Sequence, residues 1–190
     1  MNRTLFARAV AALALVLVLA ACGDDDGAAD AAPSDDPVES PVTGGDTEVV
    51  EIGAVDFAFT DVPASISAGT RLTLRNDAPT ELHELVAFRL DDDETRSVEE
   101  ILALPPEEMQ ALLGEPATVI LTPPGSDQAI TAIGDGTLDE AGRYAFFCFI
   151  PTGVDPDEYL TAAATSDGPP DVGDGPPHIV HGMFAEVEVE

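Results

Sequence analysis

The chain contains no lysine, and its seven arginines face 37 aspartates and glutamates, which gives a formal net charge of −30 over 190 residues. Nucleic-acid binding depends on Lys and Arg contacts to phosphates, so this composition argues strongly against a nucleic-acid-binding function. Such a charge either steers a basic partner towards the protein or only keeps the protein soluble. If the charge serves to steer a protein partner, we expect that partner to present basic groups.

Several common catalytic motifs are also missing from the sequence. It has no Gly-x-Ser-x-Gly elbow, no phosphate-binding P-loop and no His-Glu-x-x-His pair. Two acidic runs, at 91–94 and 155–158, lack the alternating ligands and the glycine of an EF-hand, and we interpret them as solvated loops. Nothing in the sequence offers a nucleophile with a base, so the sequence predicts that the protein is not an enzyme.

No apolar run is long enough to span a bilayer as a helix. The longest, at 9–21, follows Arg3 and Arg8 and is typical of the hydrophobic part of an export signal. It ends in Leu-Ala-Ala-Cys22, which resembles a bacterial lipobox. We therefore predict a lipoprotein signal peptide at 1–21 and lipidation of Cys22. The alternative is an ordinary signal peptide that happens to contain a cysteine.

The segment that follows the signal has the composition of a linker. Residues 22–48 are rich in Asp, Ala, Pro, Ser and Gly and have almost no large apolar side chains. Such a segment cannot bury enough apolar surface to fold, so we predict a disordered acidic linker. It would tether the protein, outside the cytoplasm, to the cell membrane. The remaining residues, 49–190, are enough for one domain with its own core.

Within this domain, alternating apolar residues and turn signals predict several short strands. The run at 144–150 is fully apolar and aromatic, which is typical of a strand buried on both faces. Other strands are predicted at 55–59, 71–75, 82–90, 118–122, 128–133 and 185–189. This arrangement indicates an all-β protein with a β-sandwich fold.

One stretch departs from the strand pattern. Ser97 followed by Glu100 forms a candidate capping box ahead of apolar residues, and a proline-initiated segment over 107–113 ends at Gly114. We predict one or two short helices here, as an insertion between strands.

The side chains with affinity for soft metals are few in this sequence. The chain has two Cys, three His and three Met. If Cys22 is lipidated, Cys148 has no disulfide partner, and an unpaired thiol in an exported protein requires an explanation. Metal ligation is one explanation, and a buried inert thiol is the other. One thiolate, two imidazoles and a weak thioether form the donor set of a mononuclear blue-copper site.

The order of these residues resembles that of the cupredoxins, the plastocyanin-like family of blue copper proteins. The resemblance lies in His83 on a strand, in the Gly-Arg-Tyr-Ala-Phe-Phe-Cys148 strand, and in His178-Ile-Val-His181-Gly-Met183 before the last strand. It implies a cupredoxin-like Greek-key β-sandwich that binds one type 1 copper ion. It also implies that the metal ligands are His83, Cys148, His178 and Met183, with His181 as the competitor of His178.

The resemblance implies a monomer that transfers single electrons to a redox partner. Two alternatives stay open: a copper carrier or sequestering lipoprotein, and a metal-free scaffold used for binding. Three histidines are too few for a multicopper oxidase, and one mature cysteine is too few for a binuclear two-thiolate centre.

Two features depart from the family pattern. A long segment rich in Pro, Gly and Asp, at 151–177, separates Cys148 from His178, where small blue copper proteins have only a few residues. Loop-closure free energy rises only logarithmically with length, so the insert is tolerable, and we expect it to cover the site. His83 is followed by Glu84, where many relatives carry Asn, and this carboxylate is expected to alter the surroundings of the ligands.

Overall fold

The structure is a computed structural model that describes residues 47–166 and 168–190. The predicted signal peptide (1–21) and the lipidation site at Cys22 lie outside the described residues. The predicted linker (22–48) is described only for its last two residues, so these assignments remain predictions. None of the helices in the described part of the chain has the length and hydropathy that a membrane span requires.

The described residues form ten strands in two sheets. The strands are β1 (Val49–Val55), β2 (Ala58–Thr60), β3 (Ser65–Ile66), β4 (Thr70–Asn76), β5 (His83–Arg89), β6 (Thr118–Thr122), β7 (Ile130–Ile133), β8 (Thr137–Leu138), β9 (Gly142–Phe147) and β10 (Phe184–Val189). One sheet has the order β2-β1-β4-β8 and the other the order β3-β10-β9-β5-β6-β7. The β1–β4 and β3–β10 pairs are parallel, and the other pairs are antiparallel.

The two sheets share one apolar core. Ile52 and Leu74 of the first sheet and Leu85, Ile120 and Phe146 of the second are all almost completely buried in the same cluster. The central strands β5 and β6 are buried along nearly their whole length, as their continuous apolar sequences predict. The predicted all-β sandwich with a short helical insertion is confirmed.

The helical insertion lies between β5 and β6. Helix α1 (Val98–Leu102) begins with the predicted capping box, in which the Ser97 hydroxyl accepts from the Glu100 amide and the Glu100 carboxylate accepts from the Ser97 amide. Helix α2 (Pro106–Leu113) follows and ends at Gly114, as predicted. Val98 and Ile101 of α1 are buried in the core, so the insertion is part of the packed domain.

Two local predictions are wrong. The alternation at 55–59 does not form one strand, because Asp56 and Phe57 make a tight turn between β1 and β2, with Phe57 at a φ of +61°. The acidic run at 155–158 is not a loop: Asp155 caps helix α3 (Pro156–Ala163), and its carboxylate accepts from the Glu158 amide. Asp at the cap followed by Pro in the first turn is a helix-start signal.

Candidate metal centre

Strand pairing brings the first two predicted ligands together. His83 is the first residue of β5, and Cys148 follows the last residue of β9. These strands run antiparallel, with Val86 opposite Phe147, so the beginning of β5 lies beside the end of β9. Both side chains are fully buried, and the Glu84 amide donates to the Cys148 sulfur over 3.5 Å.

The third predicted ligand arrives at the far end of the 151–177 insert. The Ile179 amide donates to the Cys148 carbonyl (2.9 Å) and the His178 amide donates to the Ile150 carbonyl (3.0 Å). One step further out, Pro151 and Pro177 form an antiparallel bridge, and the amide of Thr152 donates to the Pro176 carbonyl. The insert therefore leaves and returns through a two-stranded neck, defined here as residues 150–152 and 176–178, which fixes His178 beside Cys148 despite the length of the insert.

Three donor atoms converge in this buried space. His83 Nδ1 lies 3.1 Å from His178 Nδ1, and the Cys148 sulfur lies 3.3 Å from His178 Nδ1 and 3.9 Å from His83 Nδ1. Metal–nitrogen and metal–sulfur bonds of about 2.0 and 2.3 Å keep two donors of one ion roughly 3 to 4 Å apart, so these separations suit donors that share an ion. Among all the His, Cys, Asp and Glu side chains of the described residues, these three form the group whose donor atoms lie close enough together to hold a metal ion.

Met183 is tied to both ligand segments. Its amide donates to the His178 carbonyl and its carbonyl accepts from the Cys148 amide, each over 3.2 Å. The Met183 side chain is fully buried. Its main chain is therefore placed between the segments that carry the thiol and the second imidazole, and the axial role of its sulfur stays a prediction.

His181 takes a different place from His178. The two residues are the ends of one 3₁₀ turn, His178–His181, but His178 is fully buried and His181 is exposed. The His181 ring packs on Phe57 rather than among the three donors, with ring centroids 4.6 Å apart. Of the two candidates for the second imidazole ligand, the structure thus brings His178 into the cluster.

The protonation states of the protein suit metal binding. Burial, with a further contribution from His178, lowers the pKa of His83 to about 4, and burial also lowers the pKa of His178. Both imidazoles are therefore neutral at pH 7 and have a lone pair to offer. Burial, with a smaller contribution from the Glu84 carboxylate, raises the pKa of the Cys148 thiol, so the free protein holds a thiol that a bound metal converts to thiolate.

Two carboxylates, those of Glu81 and Glu84, lie next to the cluster. Glu81 Oε2 lies 3.2 Å from His178 Nε2 and also accepts from the Gly153 amide, so it directs the Nδ1 lone pair of His178 towards the thiol. Glu84 is buried, its carboxylate accepts from the Phe149 amide, and burial raises its pKa to about 7. In contrast, His83 Nε2 is buried with no hydrogen-bond partner among the described residues.

Sequence reasoning missed Glu81, Phe57 and the neck of the insert. The one signal for Glu81 is its position two residues before His83, because alternate residues of an extended chain lie on the same side. Phe57 contacts His178 through tertiary packing, with ring centroids 5.0 Å apart, and no local pattern indicates this contact.

The donor set fits one type 1 copper ion. A cysteine thiol with two imidazoles in one buried cluster, and a methionine between their segments, is the combination that is typical of blue-copper sites. A purely carboxylate or carbonyl set would instead suit calcium or magnesium. The fold and the cluster together define a β-sandwich with a buried, soft-ligand metal centre at one end.

Comparisons with known proteins give similar structures and no sequence relatives. No protein-family model matches the chain, and no curated protein matches it. Similar solved structures include a reduced auracyanin from the photosynthetic bacterium Roseiflexus castenholzii, with 20% identity, a TM-score of 0.42, and coverage of 77% of this chain and 99% of that one.

Two further auracyanin structures are similar at a comparable level. Auracyanin B has 17% identity and a TM-score of 0.40 over 75% of this chain and 88% of its own. Auracyanin A, a blue copper protein from the green thermophilic photosynthetic bacterium Chloroflexus aurantiacus, has 17% identity and a TM-score of 0.38 over 76% of this chain and 100% of its own. At such identities and TM-scores, the interpretation of the site rests on its own geometry.

Proposed function

We propose that this protein is a type 1 copper protein that transfers single electrons and has no catalytic activity of its own. The observation that carries the proposal is the convergence of His83, Cys148 and His178 with donor atoms 3.1 to 3.9 Å apart in a fully buried space. These residues would hold one copper ion, which would supply one-electron chemistry because Cu(I) and Cu(II) both accept thiolate and imidazole ligands.

The folded chain holds the donor atoms in fixed positions and keeps water away from them. The thiol segment and the second imidazole are held by main-chain hydrogen bonds of the neck, and the first imidazole by the β5–β9 pairing. A donor set fixed by packing in this way changes little when one electron arrives or leaves. Met183 has main-chain hydrogen bonds to both segments, and its thioether is the proposed fourth, weak donor.

The cellular setting is part of the same proposal. The export signal at 1–21, lipidation of Cys22 and the acidic tether at 22–48 together would place the domain on the outer side of the cell membrane. Its redox partner would then be an extracytoplasmic or membrane-bound protein with a basic docking face.

Titration of the full chain with one equivalent of Cu(II) tests the proposed centre. We expect an intense blue colour from the copper–thiolate bond, and we expect the variants Cys148→Ser and His178→Ala to lose it. A colourless one-to-one mixture with the wild-type chain would contradict the assignment of a type 1 site.

His181→Ala is the matched control for His178→Ala. Both substitutions remove an imidazole from the same 3₁₀ turn, but only His178 lies among the donors. The His181 variant should therefore keep its colour and its one-to-one stoichiometry. Loss of colour in the His181 variant with retention in the His178 variant would reverse the ligand assignment.

A further inference from the structure

The imidazole of His178 has no exposed edge through which a partner protein could contact it. The residue is 0% exposed, and its Nε2 atom is occupied by the Glu81 carboxylate. His83 and Cys148 are equally buried. If the centre exchanges electrons, the partner must therefore meet the protein at some other group that lies between this cluster and solvent.

Phe57 occupies such a position. Its ring meets the ring of His178 edge to face, with centroids 5.0 Å apart and an interplanar angle of 74°. Its φ of +61° lies in the left-handed region, which is a genuine outlier for a bulky aromatic residue. Strain of this kind persists where the surrounding structure requires it, and it clusters at functional sites. The turn at Asp56 and Phe57 places this ring on the buried imidazole.

His181 continues the contact to the surface. The ring of His181 packs on the ring of Phe57, with centroids 4.6 Å apart, and His181 is exposed. Val180, beside it in the 3₁₀ turn, is 64% exposed, which makes it the most exposed of the large apolar side chains of the described residues. His181 and Val180 are thus exposed while Phe57 is half-buried, and His178, Phe57 and His181 form a continuous series of ring contacts.

From this arrangement we propose that Phe57 and His181 form the electron port of the protein, with Val180 as part of the docking surface. The inference rests on the proposed copper function. One electron would pass from reduced copper to the oxidised metal of a partner docked on this surface, which leaves copper oxidised by one and the partner reduced by one. No proton moves and no covalent bond changes. The two rings provide the contacts along which the electron passes between the metal centres, and they are not themselves oxidised.

Charge complementarity identifies the partner as a one-electron redox protein with a basic docking face, such as a ferric haem protein. Asp56, next to Phe57, is exposed, and the Glu81 carboxylate flanks His178. Four of the five arginines in the described part of the chain are already paired with acids: Arg75, Arg89, Arg96 and Arg143. The chain therefore presents an acidic field with an apolar patch beside it, which steers a cationic partner towards the port.

The first experiment maps docking without any electron transfer. The full chain loaded with zinc instead of copper is titrated with a cationic c-type cytochrome, and amide shifts are followed by NMR. We expect the largest shifts at 56–57 and 180–182, weakened by added salt. Shifts centred on the exposed strand β7, which carries Ile130 and Ile133, would overturn the proposed docking surface.

The second experiment measures electron exchange between the copper-loaded full chain and the same cytochrome by stopped flow. His181→Ala and Phe57→Leu should each slow the second-order rate about tenfold, within the range over which variants of one interface differ in association rate. The blue band and reduction potential of the His181 variant should match those of the wild-type chain. Ile130→Ala, an exposed apolar residue on β7, serves as the matched control and should exchange at the wild-type rate.

The outcomes separate the inference from the function on which it rests. If the wild-type chain does not turn blue with copper, the proposed function fails. If all variants are blue and the His181 and Phe57 variants exchange as fast as the wild type, the copper function stands and the port is wrong. His181 is exposed, so its substitution by alanine is tolerated by the fold and keeps the second test decisive even if Phe57→Leu disturbs the turn.

Discussion

At the scale of single residues, the site brings three donor atoms together in a fully buried space. His83 and His178 point their Nδ1 atoms at each other over 3.1 Å, and the Cys148 sulfur lies 3.3 Å from His178 Nδ1. Burying polar groups in this way is unfavourable unless something compensates them. A metal ion that accepts three lone pairs at once supplies that compensation, which is why we interpret the cluster as a metal centre rather than as a polar core.

Glu81 is the carboxylate that directly contacts one of the proposed ligand imidazoles. Its carboxylate lies 3.2 Å from His178 Nε2, and a nearby negative charge favours the more positive oxidation state of the metal. Glu81→Gln keeps a hydrogen-bonding oxygen and removes the charge, so we expect the reduction potential to rise by about 30–60 mV, where 59 mV is a tenfold change for a one-electron couple. The measurement is a spectroelectrochemical titration of the blue band.

The control for this substitution is Glu186→Gln. Glu186 is an exposed carboxylate on β10 that pairs with Arg143, so the same change of charge is made away from the ligands. Its effect on the potential should be much smaller. A potential that falls in the Glu81 variant, or that shifts equally in both variants, would contradict the role assigned to Glu81.

At the scale of elements, the neck lets a long insert end at a precise site. The Pro151–Pro177 bridge and the hydrogen bonds on either side of it make the loop behave, at the metal end, like a tight turn. Beyond the neck the insert contains helix α3, whose Tyr159 is buried against the core. The length of the insert is therefore decoupled from the spacing between Cys148 and His178.

The neck can be tested by a substitution at Gly175, which directly precedes its second side at 176–178. A Cβ atom at this position would lie 2.1 Å from the Thr152 carbonyl oxygen and 3.0 Å from its backbone nitrogen. Gly175→Ala must therefore push the two sides of the neck apart, and we expect the free energy of unfolding to fall by about 1–3 kcal/mol, as for other overpacked sites. Copper should also be retained less tightly against a chelator, because the displaced segment carries His178.

Gly168→Ala is the matched control, since Gly168 lies in the same insert and an added Cβ would meet no atom within 4 Å. Chemical denaturation with and without copper measures both effects. If the two glycine variants have equal stability and equal copper retention, the neck does not position the ligand segment.

Elements with a regular pattern were predictable from the sequence, and the contacts between them were not. The alternation in 71–75 and the capping box at Ser97 report local conformation, and both are confirmed. The turn at Phe57 was hidden because the alternation of apolar residues continues across it without a glycine or proline. Glu81 and the neck depend on segments far apart in the chain, so only the folded structure could bring them together with the donors.

At the scale of the whole molecule, the excess of acidic residues opposes the compact state. The formal net charge is −30, and folding brings these carboxylates closer together than they are in the unfolded chain. Four of the five described arginines form ion pairs, for example Arg75 with Glu51, Asp61 and Asp77, but most acids have no cation to pair with. The core and the copper centre must therefore hold the fold together against a general repulsion, and this repulsion depends on ionic strength.

This repulsion predicts that simple salt stabilises the protein. The Debye length shortens from about 30 Å at 0.01 M to about 10 Å at 0.1 M, so most of the long-range repulsion between carboxylates is screened over that range. If screening recovers about 1 kcal/mol, the melting temperature should rise by about 2–4 °C for a chain of this size. Thermal unfolding of the full chain, followed by circular dichroism in sodium chloride and in choline chloride, measures the effect. Both salts should act alike, because screening depends on ionic strength, whereas sucrose at equal osmolality controls for solvent exclusion. A melting temperature that is unchanged or lower in both salts would show that the acidic surface does not strain the fold, and that its charge matters only for solubility or for the choice of partner.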